Sequence, residues 1–105
     1  MVKKESEAVR LLPSAEKYLK VLLPAEQAMV VADINDIRNG NFAAVRTKQL
    51  RGAIRELIVG HHRFTYFRLL DTLYFVRGFR KKTAKTPLQE IEYANNVYKI
   101  MKINV

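Results

Sequence analysis

The sequence predicts an α+β domain: an N-terminal helical hairpin packed on a small antiparallel sheet, followed by a C-terminal helix. Three observations predict it. The first third carries helix start and stop residues with apolar side chains at helical spacing. Residues 54–80 hold three runs rich in aromatic and β-branched residues, separated by two-residue turns. After Pro87 the helical spacing returns. Strands joined by short turns, with helices grouped outside them, define α+β rather than an alternating α/β order. The 105 residues, 49% hydrophobic and 28% charged, suffice for one domain (1–105) with its own core. Residues 1–7 are polar and are expected to fray.

In chain order, Ser14 is read as the cap of a short helix, Ala15 to Leu22. Pro24 suits the first turn of a second helix. That helix runs to Arg38, is stopped by Asn39-Gly40, and buries Val30, Ile34 and Ile37. From Phe42 the pattern turns to strands, of which Ile54–Val59, His62–Leu70 and Leu73–Arg80 are the clearest. Gly60-His61 reads as a tight turn with glycine first, and Asp71-Thr72 as the next turn. Thr86-Pro87-Leu88-Gln89 reads as a capping box. It opens a helix to Met101 that buries Leu88, Ile91, Ala94, Tyr98 and Met101.

These turns fix a register. Ile58 falls opposite Arg63, and Arg63 opposite Arg80. Leu57, Phe64, Phe79, Leu70, Leu73 and Phe75 then share the core face, with Arg55, Tyr66 and Arg77 in a row at its rim. Glu56, Arg63, Thr65, Gly78 and Arg80 share the other face, with Ile54, Phe67 and Val76 nearer one end. A slip of one residue would exchange the faces.

The composition excludes several chemistries. Cysteine is absent, so disulfides, thiolate zinc sites and cysteine nucleophiles are out. His61 and His62 are the two histidines and cannot build an HExxH or multi-histidine metal site. The four glycines are isolated, so there is no Gly-rich phosphate loop, and neither serine sits in a GxSxG elbow. The longest apolar run, Ala28 to Ala32, is far too short for a membrane span, and the first residues lack a secretory apolar core.

The charge is distributed unevenly. Lysine and arginine outnumber acids 19 to 10, and the whole excess of +9 lies in residues 46–85, with eleven bases against two acids. The bases there are mostly arginine, interleaved with aromatics, as in Arg63-Phe64-Thr65-Tyr66-Phe67-Arg68. Arginine presents a planar fork that suits phosphate. A concentrated cationic segment of this kind points to a polyanion, RNA or DNA, with an acidic protein partner as the rival.

Three segments, LRGAIREL, HRFTY and RGFRKKTAKTPLQEIEYA, resemble the RelE/ParE toxin superfamily, nearest its HigB-type and phage-derived branch. The resemblance covers about residues 10–102, and GFRKKTAKTP is its most specific part. It implies a RelE-like fold and a toxin of a type II toxin–antitoxin system, held inactive by a cognate antitoxin. The implied activity is a ribosome-dependent, metal-independent messenger-RNA endoribonuclease acting in the 30S A site, with no cofactor and a cytoplasmic location. The alternatives are a non-enzymatic gyrase inhibitor of the ParE kind, or a degenerate toxin that binds its antitoxin alone. Arg63 matches the arginine of the family's Tyr-Arg strand, Lys81 and Lys82 the KKT lysines, and Glu56-Leu57 the Glu-Leu pair. Ile58 stands where the family has an arginine, Arg77 where it has a histidine, and Arg55 where it has an aromatic.

Such cleavage uses the RNA's own 2′-hydroxyl. It needs a base, positive charge on the phosphorane, and an acid for the leaving oxygen, and charge stabilisation is the largest of these. Arg63, Arg80, Lys81 and Lys82 are the expected catalytic residues. One of the two lysines would serve as base, because clustered cations lower a lysine pKa. Lys48, Arg51, Arg77, Lys85 and Tyr93 are expected to contact RNA around them. His61 in the turn and His62 on the core side are expected to be structural.

Overall fold

The computed structural model describes residues 7–105. The expected fraying of 1–6 lies outside the described residues. Glu7 is tied down, its N–H donating to the Arg38 carbonyl at 2.8 Å. The order is β1 (Ala8–Leu11), α1 (Pro13–Lys20), α2 (Pro24–Arg38), a 3₁₀ turn (Phe42–Ala44), β2 (Arg46–Arg51), β3 (Ile54–Val59), β4 (His62–Leu69), β5 (Thr72–Arg80) and α3 (Leu88–Ile103). The α+β class, the N-terminal hairpin, the sheet and the C-terminal helix are as expected.

Each helix starts beside a proline. Pro13 occupies the first turn of α1, and Leu12 before it is extended at ψ 160°. A proline forces its predecessor out of the helical region and is itself preset for the first turn. Ser14 is therefore inside the helix, not its cap, and α1 ends at Lys20 rather than Leu22. α2 spans the predicted residues, with Leu23 extended before Pro24. It stops where Gly40 turns to φ +78°. Val30, Ile34 and Ile37 are at most 3% exposed.

The sheet order is β1-β5-β4-β3-β2. β2 to β5 form the antiparallel meander. β1 was not anticipated, and it pairs parallel to β5, so the sheet is mixed at that edge. Phe42–Ala44 is a 3₁₀ turn rather than strand. The Gly60-His61 turn forms as read, with Gly60 at φ +59°.

The second hairpin departs from the expected register. Its turn is Leu70-Asp71, one residue early, and Leu70 takes φ +56°. A leucine there costs about 1–2 kcal/mol, and the gain is that Leu69 and Leu73 are both buried while Leu70 points to solvent. A bulge then inserts Val76 between the pairs Tyr66↔Phe75 and Thr65↔Arg77. Side chains alternate along a strand, so one inserted residue flips every later one to the other face. Arg63 consequently faces Phe79, and Arg80 faces His62. Arg80 and Gly78 leave the Arg63 face, while Phe79 and Arg77 join it.

Both faces are covered. The hairpin packs on Leu57, Val59, Phe64, Tyr66, Leu73 and Phe75. Helix α3 packs on Ile54, Phe67, Leu69 and Val76, with Ala94 at its centre. Pro87 is the residue before α3, and Thr86 does not cap it. The Thr86 hydroxyl donates to Glu56 instead. Leu88 is 55% exposed, contrary to expectation, because the helix turns Glu90 inward to meet Arg77. Ile91, Tyr98 and Met101 are half-buried. No helix among the described residues is long and apolar enough to cross a membrane.

Candidate nucleic-acid interface

On the α3 side of the sheet, pairing builds two adjacent rows across four strands. One is Arg46–Ile58–Arg63–Phe79 and the other is Lys48–Glu56–Thr65–Arg77. Neighbouring strands lie about 4.8 Å apart, so four cations are gathered on a patch only four strands wide. Arg51, opposite Ile54, lies further along the same face. Lys81, Lys82 and Lys85 follow in the segment leading to α3, which crosses the sheet at Glu56.

Glu56 organises this patch. Its side chain is fully buried, and both carboxylate oxygens accept from the Thr86 hydroxyl at 2.8 Å. The Arg63 Nε lies 3.9 Å from one of them. A buried carboxylate is tolerated only when paired, so Glu56 holds both the α3 approach and Arg63. Arg63 itself is only 13% exposed. Its Nη1 donates to the carbonyls of Gly60 at 2.8 Å and His62 at 3.0 Å, while its Nε has no acceptor among the described residues. Ile58 stands half-exposed between Arg46 and Arg63.

The other expected residues are dispersed. Arg77 makes a two-pronged pair with Glu90, at 3.0 and 3.2 Å, and its guanidinium lies 4.3 Å over the Tyr93 ring. Arg77 thus belongs with Tyr93 and Glu90 near the start of α3, not in the expected row with Arg55 and Tyr66 at the rim of the hairpin core. The Lys81 N–H donates to the His61 carbonyl at 2.9 Å, extending the hairpin one residue past Arg80. Lys48, Lys82 and Lys85 are exposed. Arg80 is on the opposite face, which corrects its expected place beside Arg63. Arg46 was not anticipated, although the spacing Arg46-x-Lys48 in a strand would have placed it.

The opposite face holds a second arrangement. His62 is 4% exposed; its Nδ1 meets the Tyr18 hydroxyl at 2.7 Å and its Nε2 the Glu26 carboxylate at 2.8 Å. This chain joins α1, β4 and α2. The hydrogen bond from His62 holds the Glu26 carboxyl below its ordinary value, and the charge of Arg80 adds to this. Burial pushes the Tyr18 phenol up. A carboxyl depressed in the folded state supplies stability at neutral pH that is lost as pH falls through the folded value. Glu26→Gln is therefore expected to flatten the acid limb of a melting-temperature profile, leaving the alkaline limb unchanged. An unaltered acid limb would remove Glu26 from the account.

The fold is similar to that of chains in solved RelE-type toxin–antitoxin complexes. A chain of the toxin–antitoxin complex RelBE2 from Mycobacterium tuberculosis superposes with TM-score 0.59 at 20% identity, covering 73% of this chain and all of that one. The RelB–RelE antitoxin–toxin complex from Methanococcus jannaschii gives 0.59 at 18%, covering 67% and 87%. The RelE–RelB complex from Pyrococcus horikoshii OT3 gives 0.61 at 15%, covering 76% and 100%. Residues 17–99 match the family described as phage-derived protein Gp49-like, and the chain belongs to that family. No curated protein matches its sequence.

Proposed function

We infer that this chain is the toxin of a type II toxin–antitoxin system and cuts messenger RNA on the ribosome. The observation that carries the reading is the double row of cations around buried Glu56, with Arg63 held rigidly at its centre. Such a face supplies positive charge to a phosphorane. Lys81 or Lys82 is the base for the 2′-hydroxyl, and Arg46, Lys48, Arg51, Lys85 and the Arg77–Tyr93 pair hold the strand. Arg80, on the other face, has no place in that step. A shallow cationic sheet does not by itself impose in-line geometry, which is worth several kcal/mol. A ribosome presenting a stretched codon supplies it.

The chain is accordingly expected to cut message in a programmed ribosome, leaving a 2′,3′-cyclic phosphate, and to spare the same RNA when free. A 2′-O-methyl group at the scissile nucleotide should stop the cut. Intact message together with stalled gyrase supercoiling would overturn the reading in favour of a gyrase inhibitor. One observation favours a second reading, a toxin that only binds its antitoxin: Ile58 interrupts the cationic row beside Arg63. Intact message and unaffected gyrase would support it.

A further inference from the structure

A pocket of about 430 Å³ opens on the hairpin side of the sheet, away from the Arg63 rows. Its size lies within the usual range for ligand sites, about 300–1,000 Å³. Phe42, Ala53 and Leu73 give it an apolar floor, and Thr47, Arg55, Tyr66 and Arg68 bring polar groups to it. Of these, Thr47, Arg55 and Tyr66 have no anionic partner among the described residues. Arg55 Nε donates to the Tyr66 hydroxyl at 3.3 Å, and Nη2 to the Thr47 hydroxyl at 3.2 Å. Both acceptors are neutral, and each hydroxyl keeps its own proton to give. Tyr66 is 2% exposed, so its hydroxyl is fixed in place. Among the described residues Arg55 pairs with no carboxylate, whereas Arg68 at the same pocket is paired with Glu7.

A guanidinium and two hydroxyls with spare protons form a receptor for an oxyanion, and charge-assisted bonds of this kind are about twice as strong as neutral ones. The apolar floor requires that the anion be carried beside a hydrophobic group. An isolated phosphate leaves that floor empty, and an apolar peptide leaves Arg55 unmet. We propose that the pocket docks an acidic segment of the protein that restrains this chain. One aliphatic or aromatic side chain sits on Phe42, Ala53 and Leu73, and a neighbouring carboxylate meets Arg55. The proposal rests on the reading that such a partner exists, and it adds a contact remote from the Arg63 face.

The test titrates the isotope-labelled full chain with the capped peptide acetyl-Glu-Leu-Phe-Glu-amide and follows backbone amide resonances. The expected result is shifts at Thr47, Ala53, Arg55 and Leu73. Binding should be at least tenfold weaker for the Gln-Leu-Phe-Gln twin and for the Arg55→Gln chain. Ala53→Leu, which fills the floor and keeps every donor, should weaken binding similarly. Equal binding by the glutamine twin, shifts confined to the Arg63 side, or no binding at all would overturn the proposal. So would tighter binding of hydrocinnamate, which would make the pocket a small-acid site, or the same shifts on raising protein concentration alone, which would seat a second copy there. The readout is independent of RNA cleavage, so a chain that cuts no RNA leaves it standing, and its failure leaves the cleavage reading intact.

Discussion

Arg63→Ala is expected to lower ribosome-dependent cleavage by roughly 10²–10³-fold, the loss typical when a fixed donor to a developing oxyanion is removed. The guanidinium is more buried than that of Arg77 and is bonded to the Gly60 and His62 carbonyls, and its loss removes both charge and orientation. The same substitution leaves buried Glu56 with Thr86 as its main partner, so it should also destabilise the fold, by about 1–3 kcal/mol. Arg63→Lys separates the two effects. A lysine retains a charge near Glu56 but not the planar fork, so stability should recover while cleavage stays at least tenfold down. Lys81→Ala combined with Lys82→Ala should abolish growth inhibition with an unchanged melting temperature, since neither side chain is buried. A folded Arg63→Ala chain cutting at the parental rate would place the chemistry elsewhere.

Gly78→Ala is expected to be the most damaging single methyl group in the domain. A Cβ at Gly78 would stand 2.4 Å from Tyr18 Cδ2 and 2.7 Å from Phe64 Cε1. Neither ring can yield: Phe64 is fully buried, and Tyr18 is anchored to His62 and set edge-on against Phe64. Overpacking of this kind costs about 3 kcal/mol, which for a domain of this size lowers the melting temperature by roughly 15 °C. Tyr18→Ala in the same chain should recover part of that loss, because it removes both clashing atoms of the ring, Cδ2 and Cγ. Additive losses in the double variant would show that the clash is relieved by backbone movement instead.

What the sequence disclosed follows from how local each signal was. The second helix, the third strand and the Gly60-His61 turn were legible because their determinants lie within a few residues: Pro24, Asn39-Gly40, and glycine between two apolar runs. Arg55 was correctly set beside Tyr66, and Ile58 beside Arg63, because both pairs belong to that one well-marked hairpin. The bulge at Val76 was illegible. Valine flanked by Phe75 and Arg77 carries no glycine or proline to mark an irregular strand, and what fixes it is burial of Val76 against α3 on the far side. That single unmarked residue moved Arg80 away from Arg63 and brought in Arg77 and Phe79. The Tyr18–His62–Glu26 chain was beyond reach for a related reason, since its members lie on three elements whose packing is set by the whole core.

Strand β1 has a further consequence, for the order in which the molecule can be made. Its partners are separated from it by most of the chain, Ala8 with Thr72 and Leu11 with Phe75, and α1 lies on that same last strand. Within the domain, β1 and α1 are therefore made before the strand that seats them, and pairing so distant in sequence is slow to form. Until β5 emerges, the hairpin lacks Leu73 and Phe75 of its apolar seat, and the surface they cover is open to other binders. A nascent chain halted before residue 72 lacks β5, the strand on which β1 and α1 come to rest. The β1 edge of the sheet is thus completed late, when β5 gives β1 its partner.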